Sequence, residues 1–234
     1  MITCDCGAAL PVLGELTCET KENFGQIQKL IFVPLHFDYT EGDTTKIGVN
    51  GIKKDASGTG ESVAITALQA LLTATGKRRG VITPYVEAPT QEGGDAITFG
   101  GGNDTVGGVE EIVGSNASNL TFALRKWAQS MIKRLKAFGC VPDLGVYFVG
   151  EHGQIEGEAG TVTVEGEGGA FTQVEGYRPF PVRSFFVSDK VHGGLQEPDS
   201  NSLQFSLLPN YSDDLRIVNV TGGNPLTDLI QVAE

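Results

Sequence analysis

Between residues 144 and 221 the chain is a series of short runs with strand chemistry. "GVYFVG" is apolar throughout, "TVTVEG" alternates, and "SFFVSD" is aromatic-rich. "LQFSLL" sets Leu203, Phe205 and Leu207 against Gln204 and Ser206, and "LRIVNV" closes the series. Successive side chains of a strand point to opposite faces, so alternation marks one covered face and an unbroken apolar run marks two. Turn-forming residues separate the runs at short intervals, the pattern of an antiparallel sandwich or barrel. Glycine, 32 of 234 residues, is about twice its ordinary usage and is scattered, which fits many tight turns. The expected class is mainly β (α+β): an antiparallel β-sandwich or barrel in a single domain, 1–234, with residues 1–25 as a candidate N-terminal arm.

Upstream, "QKLIFVPLHF" reads as a strand that ends near Pro34, because proline has no N–H to give to a ladder. "ESVAITALQALLTATG" places Val63, Leu68, Leu71 and Leu72 on one side and predicts a short helix near 61–73, stopped by Gly76. The most regular spacing lies further on. Leu120, Leu124, Trp127, Met131, Leu135 and Phe138 recur at steps of four, three, four, four and three. That stripe predicts one prominent flanking helix over about 117–138, packed on the sheet, capped by Asn116 or Ser118 and closed by Gly139 and Pro142. Between the two helices, "TPYVEAPTQEGGDAITFGGGNDTVGGVEEIVGS" is glycine-rich with brief apolar pairs. It reads as an extended assembly loop over about 84–114 carrying short strands, since so long an irregular segment in a compact domain is usually functional.

Charge is unevenly spread. Seventeen Lys and Arg against 29 Asp and Glu leave a net charge of −12, which opposes binding of a phosphate backbone. Yet residues 113–142 hold five basic residues, Arg125, Lys126, Lys133, Arg134 and Lys136, and no acid. The plain reading is a solvated helix face; the sharper one is an interface with an acidic neighbour. The opposite extreme is "EHGQIEGEAGTVTVEGEGGAFTQVEG", 151–176, with six acidic residues, seven glycines and no Lys or Arg. Its candidate functional carboxylates are Glu156, Glu158, Glu165, Glu167 and Glu175, with Glu165 and Glu167 sharing a face by alternation.

Enzyme signatures do not emerge. His36, His152 and His192 lie in no G-x-S-x-G or H-E-x-x-H context, and no P-loop or dinucleotide fingerprint accompanies the glycine runs. Cys4, Cys6, Cys18 and Cys140 have neither zinc nor C-x-x-C spacing. No catalytic residue, cofactor or metal is expected. The first residues lack a basic segment leading into an apolar core, and no run approaches the roughly 20 apolar residues of a membrane span. A soluble protein made in the cytoplasm, without membrane insertion, is expected.

"QKLIFVP", "TPYVEAPTQEGGDAITFGGGNDTVGGVEEIVG", "LGVYFVGEHGQIEG" and "FFVSDKVHGGLQEPDSNSLQFSLLPNYSDDLRIVN...NPLTDL" together resemble the major tail tube proteins of long-tailed bacteriophages, the tail tube and Hcp-like tube family. The similarity runs over most of the chain and rests on the order of the segments. The resemblance implies a virion structural protein whose hexameric rings stack into a hollow tail tube for genome passage. It also implies tape measure, tail tip and tail terminator proteins as partners, and DNA that passes without specific binding. The five glutamates would then be candidates to line the lumen, where unpaired carboxylates repel phosphate, with only some of them facing inward by strand alternation; the plain alternative is a ribbon on the outside of the tube, acidic for solubility. The alternative is a β-sandwich binding module for carbohydrate, or a decoration protein; such modules usually display an aromatic platform, whereas the single Trp127 lies in the apolar stripe.

Overall fold

Twelve strands join through backbone pairing into one sheet, and two further pairs form separate hairpins, in a computed structural model that describes residues 24–41, 43–56, 60–101, 110–166, 169–195 and 197–229. In chain order the strands are Ile27–Pro34 (β1), His36–Glu41 (β2), Thr44–Val49 (β3), Ile52–Lys53 (β4), Ser62–Ala64 (β5), Val81–Ile82 (β6), Glu87–Gly93 (β7) and Ala96–Gly100 (β8). There follow Glu110–Ser115 (β9), Ser118–Arg125 (β10), Leu144–Gly150 (β11), Ile155–Glu165 (β12), Phe171–Arg178 (β13), Phe180–Val187 (β14), Ser200–Leu207 (β15) and Leu215–Thr221 (β16). The helices are Ile65–Thr73 (α1), Gln129–Lys136 (α2) and the single turn Pro225–Asp228 (α3).

The centre is the antiparallel pair β1 and β11, paired from Ile27 opposite Gly150, through a register shift before Lys29, to Pro34 opposite Leu144. From Leu30 to Pro34 and along β11 the strands are apolar on both faces because both faces are covered. Leu30, Phe32, Leu144, Val146 and Phe148 enter one core; Ile31, Val33, Tyr147 and Val149 enter another. The free edge of β11 then divides. β12 pairs with it at Phe148–Val149, and β14 pairs with it at Gly145–Val146. One wing continues through β12 to β13 and β4, with β16 also on β12; the other runs β14, β15, β10, β7. The sheet therefore curls into a half-barrel, mainly antiparallel as expected, with β16 and β5 its parallel pair.

The first core fills the curl. Phe32 meets the rings of Phe138, Phe185 and Phe205 edge-on at 5.7, 5.5 and 6.0 Å, the favoured geometry for aromatic quadrupoles. Ile132 and Leu135 of α2 close it. The second core lies on the opposite face, where α1 lays down Ile65, Leu68, Leu71 and Leu72. The short helix near 61–73 thus forms, beginning after β5.

The long helix over 117–138 does not form. Its first half is β10, paired with β15 from Ser118 opposite Leu207 to Arg125 opposite Ser200. A four-residue step such as Leu120 to Leu124 fits either period: it is about one helical turn and also two strand repeats. Phe122 decides between them. It lies two residues from each, would fall on the far side of a helix, and is 0% exposed beside both on one face of β10. Lys126, with φ of 62°, breaks the strand, and α2 follows from an extended Ala128 that supplies no side-chain cap. Leu120, Leu124 and Leu135 are buried as expected, Trp127 and Phe138 pack partly buried against the first core, but Met131 is 39% exposed.

Candidate functional site

The acidic ribbon is the ladder of β12 and β13, running from Glu158 opposite Arg178 to Glu165 opposite Phe171. Its glycines are needed chiefly for close approach rather than for turns. A Cβ on Gly157 would sit 3.0 Å from the Tyr147 ring and the Arg178 carbonyl, and one on Gly160 would lie 2.5 Å from the Arg178 guanidinium. The strand can thus lie flat beneath Arg178.

Pleating places Glu156 and Glu158 on one face of β12 and Glu165 on the other. Glu175, opposite Thr161, shares the face of Glu165. Glu167 lies outside the described residues. The expectation that the ribbon has no basic partner is corrected for two of its members. Arg178 binds Glu158 at 2.5 Å, and Arg78, from the 3-10 turn Gly76–Arg78, binds Glu165. Arg78 also lies 5.2 Å from the rings of Phe37 and Phe171, clasping the β2–β3 hairpin to the ribbon. Both arginines lie outside the 151–176 segment, so local composition could not show the pairing. Glu156 differs: it sits between Phe148 on β11 and Ile217 on β16, and burial raises its carboxyl from the ordinary 4.5 to about 7. Glu175 is exposed.

The stretch expected as an assembly loop is more ordered than a loop. β7 belongs to the sheet, paired with β10 from Gly93 opposite Ser118 to Glu87 opposite Ala123. The same two chain segments then continue past an elbow as β8 and β9, which pair only with each other among the described residues. Gly93 and Gly94 make the elbow, with φ of 93° and 82°; a Cβ on Gly93 would lie 2.3 Å from the Ala117 carbonyl. Beyond it the ribbon carries apolar side chains on both faces. Ile97 (43% exposed) and Phe99 (60%) alternate onto one face, while Ile112 (75%), opposite Thr98, takes the other, with Val113 (62%) beside it at a register shift. Glu110 and Glu111 lie among them.

At the other end of the β7–β10 ladder is a cleft of about 410 Å³. Pro84 and Val81 form one wall; Trp127, Met131, Leu135 and Phe138 form the other. Trp127 is fixed by its Nε1, which donates to the Tyr85 carbonyl at 3.2 Å. Two cations border this apolar space. Lys29, whose pKa burial lowers, donates from Nζ to the Leu226 carbonyl at 2.6 Å and lies 4.9 Å from the Tyr85 ring. Arg134 projects from α2 and, like its neighbour Lys133 and like Lys126, makes no ion pair among the described residues. Sequence spacing had put Met131 in a buried stripe; the structure makes it part of a wall open to solvent.

The histidines stand apart. His36 contacts Asp143 at 2.7 Å, His152 lies 3.5 Å from Glu151 and His192 3.7 Å from Asp199. Among the described residues no three His, Cys, Asp or Glu side chains gather as metal ligands, and no helix is long and apolar enough to cross a membrane. Cys140 is a free, exposed thiol, and Cys4, Cys6 and Cys18 lie outside the described residues, as does the N-terminal arm apart from Phe24, which packs in the first core, and Gly25. Comparison with protein-family models, with curated proteins and with solved structures finds no match to this chain.

Proposed function

We propose that the chain is a self-assembling structural subunit, and within that class a tail tube subunit of a long-tailed bacteriophage, built into the virion tail from stacked hexameric rings. The observation that carries this reading is the β8–β9 ribbon, which carries apolar side chains on both faces and leaves Ile97, Phe99, Ile112 and Val113 exposed among the described residues. An isolated two-stranded ribbon is marginal in water, and an exposed apolar strand pair is an aggregation liability unless a partner covers it. A partner that is always present in an assembly is another copy of the same chain. The curled sheet flanked by a helix accords with the fold implied by the resemblance, and the net charge of −12 suits a tube wall to which DNA does not adhere. The subunit itself performs no chemistry; tape measure, tip and terminator proteins would contact the tube, which is assembled in the host cytoplasm. Since the described glutamates divide between two faces, one pair at most, Glu156 with Glu158 or Glu165 with Glu175, faces the channel.

Electron microscopy of the purified protein tests this. Rings or tubes are expected from the full chain, and dispersed monomers from a variant in which residues 95–116 are replaced by a two-residue Asn-Gly turn. The main sheet is untouched by that replacement, so its thermal unfolding should stay cooperative. A full chain that remains monomeric at high concentration defeats the reading.

A further inference from the structure

We propose that the β8–β9 ribbon of one copy docks in the cleft between Pro84 and α2 of the next, so that a single chain carries both halves of a head-to-tail contact. The inference rests on the self-assembly reading and names the surfaces that carry it out. The two halves match in chemistry. The ribbon presents Phe99, Ile97 and Ile112 together with Glu110 and Glu111. The cleft presents Trp127, Met131 and Leu135 bordered by Lys29 and Arg134, with Lys133 nearby. Apolar side chains thus meet apolar walls while carboxylates meet Arg134 and Lys133, which have no acidic partner among the described residues, the arrangement that steers encounter and fixes register.

Geometry prevents a chain from satisfying itself. The ribbon leaves the β7–β10 ladder beyond Gly93 and Ser118, whereas the cleft opens beyond the opposite end, at Pro84 and Trp127. At about 3.3 Å per residue, the strand from Pro84 to Gly93 sets them roughly 30 Å apart. A contact between different patches on identical copies is heterologous: it closes a ring if the rotation allows and continues as a stack if not. The same docking accounts for Met131, an apolar residue left 39% exposed beside buried Ile132 and Leu135.

The test uses the full chain with the photoreactive residue p-benzoylphenylalanine in place of Phe99, irradiated under assembly conditions and mapped by mass spectrometry. The expected product joins position 99 of one copy to the peptide holding Trp127 and Met131 of another. In parallel, Arg134→Glu and Glu111→Arg should each raise the concentration needed for assembly about tenfold, and the double variant should restore it. Oligomers whose crosslinks map away from the cleft, or a double variant no better than the singles, would overturn the docking while leaving self-assembly in place. A protein that neither oligomerises nor crosslinks overturns both.

Discussion

The β1–β11 pair and the β8–β9 ribbon are both two-stranded and antiparallel and both carry apolar side chains on two faces, yet one is buried and the other is exposed. The first is covered from one side by the curl of the sheet and from the other by α1. The second has been carried past a glycine elbow, beyond the reach of either. Local apolarity therefore marks a face that needs a cover. Whether the cover comes from the same chain or from another is settled by where the strand lies.

The largest expected effect lies in the covered pair. Phe32→Ala removes the ring that joins Phe138, Phe185 and Phe205 and should cost about 3–5 kcal/mol, read from urea unfolding. A loss below about 1 kcal/mol would show that the centre is less tightly packed than its burial implies.

A charge set against this centre comes next. The Glu156 carboxyl is raised to about 7 in the folded chain from an ordinary 4.5, so the folded state holds the proton more tightly than the unfolded one. The stability this confers is complete below pH 4.5, falls as pH rises, and is lost above about 7. Glu156→Gln, which stays neutral, should therefore stabilise the subunit by about 2 kcal/mol at pH 8 and leave it unchanged at pH 4. Equal midpoints for the two proteins at both pH values would dismiss the desolvated carboxyl.

The joint between the two regions is weaker. Gly93→Ala places a Cβ against the Ala117 carbonyl at a positive φ and should cost about 1–2 kcal/mol while re-aiming the ribbon. A ribbon that still assembled normally would show that the elbow angle is not what positions it.

The smallest effect on stability sharpens the comparison most. Phe99→Ala should change the unfolding free energy by no more than about 0.5 kcal/mol, because the residue is 60% exposed and lies outside both cores. The same change should suppress ring or tube formation. A large loss of subunit stability would mean that the ribbon is covered from within, contrary to its exposure.

Much of this molecule could be read from residue order. Short-range alternation and unbroken apolar runs determined the strands of 144–221, the mainly β class, the end of β1 at Pro34 and the short helix before Gly76, because strand and helix periods act over a few residues. Net charge and the clustering of acids in 151–176 and of bases in 113–142 were equally legible. Tertiary structure alone decided the rest. It made 118–125 a strand, since steps of four satisfy both periods and only the place of Phe122 beside β15 separates them. It brought Arg78 and Arg178 to Glu165 and Glu158, pairings set by strand register and by a distant turn. It also put the ribbon and the cleft at opposite ends of one ladder, because the direction in which a strand leaves a sheet depends on its neighbours and not on its own composition.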